Sequence, residues 1–166
     1  MATYPLLFVF PFVMAFAAAM DLFTMRIANF VSLGLAAAFL IVAPIAGMPM
    51  QEMLMHLSVG AVMLLAGMLL FGLRLVGGGD AKLLAAAALW IGYDQLFPFL
   101  VYVTLFGGAL ALLLLAYRQT PAGAFPLPAW AMRLHHRDEG MPYGLAIAAG
   151  ALAVYPLTNW PTLLAM

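Results

Sequence analysis

Charged residues in this chain fall in a few short stretches, and the apolar runs between them are long enough to cross a bilayer. Residues 53–73 and 96–117 contain no Asp, Glu, Lys or Arg. A helix of about 20 apolar residues covers the roughly 30 Å of a hydrocarbon core. Only 7% of the 166 residues are charged and 67% are hydrophobic, whereas a soluble globule carries about 25% and about 45–50%. Such a chain cannot cover a water-facing surface with polar side chains. It is expected to be an all-α, polytopic membrane protein.

Six segments follow from the charge breaks: residues 4–20, 30–48, 53–73, 83–91, 96–117 and 142–157. Pro11 should bend the first, and Pro44, Gly47 and Pro49 should close the second. The fourth is short, because nine residues rise only about 14 Å. It spans only if the helix extends through Asp80 and Asp94, or if the bilayer thins locally.

Charge placement supports six spans with both termini outside. The inner loops, 21–29, 74–82 and 118–140, then hold Arg26, Arg74, Lys82, Arg118, Arg133 and Arg137, which are all six Lys and Arg residues. The outer loops hold Glu52 and Asp94, as the positive-inside tendency requires. Met1-Ala2-Thr3 has no basic side chain, so the first segment reads as a retained helix rather than a cleaved signal. No repeat or separate soluble domain is evident, and residues 1–166 read as a single transmembrane domain. Ala and Gly recur in every segment and would let helix backbones pack closely.

Composition also excludes functions. There is no cysteine, hence no disulfide, thiolate catalysis or cysteine-ligated zinc. Six dispersed cations form no basic stripe, so no nucleic-acid partner is expected. Membrane lipid is the surrounding partner, and the oligomeric state is left open.

Two acids stand out. Asp21 ends the first segment and Asp80 opens the fourth, both on the inner side and therefore at similar depth. If the bundle brings them together, the pair would share one proton near neutral pH. One carboxylate would then deprotonate water while the other acid donates to a peptide carbonyl and later to the leaving amine. Gly77, Gly78 and Gly79 leave the backbone beside Asp80 unshielded for an extended substrate. Structural roles remain open: Asp80 as a helix cap, Asp21 as an interface residue. A phosphate cradle is the competing use of the glycines, but the Gly-rich fingerprint closed by Gly-Lys and Ser or Thr is absent, since Lys82 is followed by Leu83.

Gly77-Gly78-Gly79-Asp80 resembles the Gly-x-Gly-Asp signature of membrane aspartic proteases, and Ala81-Lys82-Leu83-Leu84 continues it as in the type IV prepilin peptidases. Asp21 through Arg26-Ile27-Ala28-Asn29 is similar to their first aspartate motif. The stretch from Met141, including Pro142, Tyr143 and Gly144, is similar to the Pro-Tyr-Gly motif of their last helix. The likeness is greatest to the short form found with Flp-type tight-adherence pili. It implies a bacterial inner-membrane endopeptidase that removes the basic leader from prepilin or pseudopilin substrates at the cytoplasmic face. It assigns Asp21 and Asp80 as the catalytic pair, Gly77 and Gly79 as shaping the active loop, and Pro142, Tyr143 and Gly144 as support. No cofactor is implied, and without the cysteine-bearing domain of longer relatives methyl transfer is not expected. Ala28 and Leu145 stand where the family usually has Pro. The first substitution leaves Asn29 to cap the second helix, and the second should straighten the last helix slightly.

Other residues are weaker candidates. Lys82 would hold Asp80 ionised, neutralise substrate or headgroup carboxylates, or simply anchor at the surface; Arg26 is equally open. His56 reads as a packing or interface residue, and Trp160 as an interface anchor. His135 and His136, with Asp138 and Glu139 nearby, suggest a metal only faintly. Residues 130–137 form either a short surface helix or a solvated loop. Thr24 and Ser32 lack a His base on the inner side. A small cation- or proton-coupled transporter using the same two acids and a non-catalytic assembly partner are the alternatives.

Overall fold

The computed structural model describes residues 4–120, 128–135 and 140–165. All its regular elements are helical: α1 (Val9–Thr24), α2 (Asn29–Ile45), α3 (Met50–Gly72), α4 (Gly78–Ile91), α5 (Leu96–Tyr117), α6 (Ala129–His135), α7 (Tyr143–Val154) and α8 (Trp160–Ala165). Three helical stretches are long and apolar enough to cross a membrane: Tyr4–Thr24, Met50–Gly72 and Leu96–Tyr117. Asn29–Ile45 and Tyr143–Leu157 are shorter apolar helices. The protein is thus an all-α, polytopic membrane protein.

Pro11 lies at the start of α1. Residues Tyr4–Phe8 form a 3-10 turn, so the proline falls in the first turn of the α-helix, where its missing N–H is not needed. α2 ends as expected near Pro44: Gly47 adopts φ +74°, and Met48 N–H donates back to Ala43 O at 3.0 Å.

α4 is the centre of the bundle. Its 14 residues rise about 21 Å, and every residue from Ala85 to Ile91 is buried by protein. The helix extends through Asp80 but stops before Asp94, because Gly92 turns the chain at φ +78°. Its main neighbour is α3, with α2 and α7 also against it, while α7 lies between α1 and α5. Small residues set the α3–α4 spacing. A Cβ on Gly60 or Gly67 of α3 would come within 3.0 Å of the Cβ of Leu89 or Ala81. Lipid gives no hydrophobic reward for such association, so close backbone contact supplies it through dispersion.

The two ends of the bundle differ. At one, Phe10, Phe39, Trp90 and Trp160 are wholly buried and mutually packed, with the Trp90 and Trp160 rings 4.8 Å apart. Trp160 is therefore a core residue and not an interface anchor. It sits there because its indole N–H has a buried acceptor, Trp90 O at 2.7 Å. His56 belongs to the same cluster, stacked on Phe39, with Nδ1 2.8 Å from Leu89 O.

The other end carries Arg26, Arg74, Lys82, Arg118 and Arg133, drawn together by contacts among the ends of α1, α3, α4, α5 and α7. Residues 129–135 form the short helix α6, but it is docked on protein. Trp130 packs edge-on against Phe23, Arg133 donates to Phe23 O, and Tyr117 Oη donates to Ala131 O at 3.0 Å. Arg118 ties it further, donating to Leu134 O at 2.9 Å and Gly140 O at 2.6 Å. His136, Arg137, Asp138 and Glu139 lie outside the described residues.

Candidate active site

Asp21 occupies the last turn of α1 and is only 4% exposed. A carboxylate there needs donors, since an unpaired buried acid is costly. α7 supplies them. Pro142 precedes the helix, wholly buried, and leaves the N–H groups of the first turn without intrahelical acceptors. The Gly144 N–H donates to Asp21 Oδ2 at 2.7 Å. The Leu145 amide, which also reaches Pro142 O at 3.2 Å, faces the same carboxylate. A proline at 145 would have no N–H to offer, whereas leucine there supplies a second donor beside the acid.

Gly144 is required by the fit. A Cβ there would lie 2.8 Å from Asp21 Oδ2 and 2.6 Å from Ile27 Cδ1.

Asp80 is the third residue of α4, with Gly77 as the N-cap. Its carboxylate turns back toward the Gly77 amide, the reciprocal half of a capping box. The three glycines are not an unshielded flexible loop: Gly78 and Gly79 lie inside the first helical turn. Each admits a different neighbour. A Cβ on Gly77 would meet Asp80 Oδ2 at 2.7 Å, on Gly78 the Phe71 ring at 3.2 Å, and on Gly79 the Ile27 Cβ at 3.2 Å. Ile27 is thus wedged against both Gly79 and Gly144. That role is invisible in the chain order, because it joins three segments distant in sequence.

Both acids line one open cavity of about 1330 Å³, and Asp80 lies within electrostatic reach of Asp21. The cavity runs between the ends of α1 and α3, the first turn of α4, and the faces of α5 and α7 near Val103, Thr104 and Ile147. Tyr143 also lines it, within reach of the Asp80 charge. Its ring occupies the space left by Gly107 of α5, where a Cβ would stand 2.9 Å from the phenol oxygen. Arg26 and Arg74 stand at the same cavity. Sequence reasoning left Arg74 as a mere end-of-segment charge and gave Phe71 no part.

Lys82 is elsewhere. Two residues on from Asp80, it points from a different face of α4, and its Nζ donates to Asn29 Oδ1 at 2.9 Å. It is exposed and makes that bond in place of one to Asp80. Asn29 does not cap α2: the N-cap is Ala28, with no side-chain cap bond, and Asn29 is the first helical residue. Ala28 nonetheless holds φ −70°, within the range a proline ring would fix, with an extended ψ of 143°.

His56 is at the far end, in a small separate pocket with Gly92, Asp94 and Trp160. Among the described residues no group of three or more His, Asp or Glu is placed to hold a metal.

Two carboxylates from different helices thus face one cavity, each steadied by backbone N–H groups. Such an arrangement can hold a water and exchange protons with a bound peptide. Residues 8–112 match the model of the type IV leader peptidase family. No curated protein and no solved structure gives a match. The matched stretch spans more than half of the chain and contains both Asp21 and Asp80, and the chain belongs to the type IV leader peptidase family.

Proposed function

We propose that this protein is a membrane aspartic endopeptidase that removes the basic leader of prepilin or pseudopilin substrates. The observation that carries the reading is the shared cavity of Asp21 and Asp80, one acid held by the Gly144 amide and the other by the Gly77 cap. In the reaction a water bound between the acids loses a proton to one carboxylate as its oxygen attacks the scissile carbonyl carbon. The other acid, protonated, gives its proton to the carbonyl oxygen. Collapse of the tetrahedral intermediate breaks the C–N bond, and the nitrogen leaves with a proton returned by the first acid. Nothing in this sequence of steps calls for a cofactor.

The topology that suits this chemistry has six spans, both termini outside and the cavity open to the cytoplasm. The cations gathered at the cavity end support it. α4 crosses within a sheath of protein, which relieves its shortness. Asparagine at 21 or 80 keeps the shape but cannot carry the proton. Each variant, folded in detergent or liposomes, should lose cleavage of a leader-bearing peptide. Near-normal turnover by either would end the reading. Use of the same acids for ion or proton transport would need a route to the far end, where Phe39, Trp90 and Trp160 pack without exposure; flux in proteoliposomes without cleavage would favour it. The resemblance to the Flp-associated short form and the absence of methyl transfer belong to the same proposal.

A further inference from the structure

Arg74 adopts φ +59°, one of two described non-glycine residues in the left-handed region. It closes α3: Arg74 N–H donates to Phe71 O at 2.9 Å and Leu75 N–H to Leu70 O at 2.9 Å. Glycine is the residue such a helix terminus favours, because a Cβ is strained there. Gly72 and Gly77 lie a few positions away, yet the strained position carries arginine. Backbone strain retained at a cavity points to a use for the side chain. Arg74 lines the cavity of the two acids, as does Arg26, which follows Met25 at φ +54°. Among the described residues neither guanidinium has a hydrogen-bond or ion-pair partner. Two cations at the cavity, without a partner among the described residues, are a poor host for basic side chains.

We infer that Arg74, with Arg26, is a specificity-determining residue that sets the position of the cut by repelling basic side chains from the mouth of the cavity. The inference rests on the peptidase reading. A leader rich in Lys and Arg cannot thread its charges past these guanidiniums, so the bond presented to Asp21 and Asp80 lies beyond the last of them. Main-chain carbonyls or an acidic side chain are accepted in their place. Discrimination of this kind comes from disfavouring the wrong register as much as from attracting the right one.

The test is a charge swap. Peptides with a basic stretch, a glycine and an apolar helix carry one Lys or one Glu, moved stepwise through the four residues on either side of the cut. Cleavage is followed in a neutral detergent by wild-type protein, Arg74→Glu and Arg74→Gly. At one or more positions the wild type should cut the Glu peptide with kcat/KM about tenfold above the Lys peptide. Arg74→Gly should reduce that preference, Arg26 remaining, with a melting temperature no lower than wild type, and Arg74→Glu should cancel or reverse it. A cation that only steadies the C-terminal carbonyls of α3 would move the melting temperature and leave the Glu-to-Lys ratio alone. Equal ratios in all three proteins at every position overturn the inference while leaving the peptidase reading intact. Variant effects confined to vesicles of anionic lipid, and equal for all peptides, would mark a headgroup contact and also overturn it. If wild-type protein cuts no peptide, the peptidase reading itself falls.

Discussion

The Gly144 N–H donates to Asp21 Oδ2 at 2.7 Å across 123 positions of sequence. This bond orients one acid by a helix terminus whose glycine leaves the carboxylate room.

Alanine at 144 should therefore strike the site directly. Its Cβ would stand 2.6 Å from Ile27 Cδ1 and 2.8 Å from Asp21 Oδ2, distances that force movement of the acid, of Ile27 or of α7. We expect Gly144→Ala to lower kcat/KM by at least about tenfold, as expected when a reacting group is displaced. Thermal unfolding should show a loss of about 1–3 kcal/mol from overpacking. A variant with full activity and unchanged melting would contradict the geometry.

Gly77→Ala separates activity from stability. Gly77 has φ −67°, which any residue tolerates, but an alanine Cβ would lie 2.7 Å from Asp80 Oδ2. The expected result is a marked fall in peptide cleavage with a stability loss of about 1 kcal/mol or less, the difference between Gly and Ala at an N-cap. Gly78→Ala faces a phenyl ring that can swing, and should be milder in the same assay.

Lys82 provides the contrasting case. Its exposed bond to Asn29 Oδ1 is worth about 1 kcal/mol at most, and the side chain does not serve Asp80. Lys82→Gln should retain cleavage within about twofold and melt within a few degrees of wild type. A hundredfold loss of kcat would show that the cation acts on the acids after all.

At the far end, Trp160→Ala should cost about 3–5 kcal/mol, the usual penalty for emptying a large buried aromatic site. Denaturant unfolding in mixed micelles measures it. The protein that still folds should keep its specific activity, because Trp160 packs on Trp90 and lies away from the acid cavity. An interface anchor would give a much smaller stability change.

Much of the architecture was readable in advance. An ionised residue in an apolar run is so unfavourable in lipid that its position marks a segment end or a working site, which is why Asp21 and Asp80 stood out. Helix ends were legible where local chemistry sets them, as at Pro44 and Gly47. Trp160 and Asn29 differ from the sequence expectation because their partners, Trp90 O and Lys82 Nζ, are 70 and 53 residues away. Ile27 and Arg74 were overlooked for a related reason. Their places follow from how three chain segments meet and from one unusual backbone angle.

Hydropathy and the order of charges were enough to establish a helical membrane protein, because lipid offers no partner to an unpaired backbone group and each segment must satisfy itself locally. They were also enough to single out the two acids. Only the packed bundle decided that α4 would be wrapped by its neighbours, that α7 would aim an amide at Asp21, and that two arginines would line the cavity of the acids. Helix contacts in lipid depend on the fit of small residues such as Gly67 against Ala81, a matter of shape between distant segments that no local property of the chain encodes.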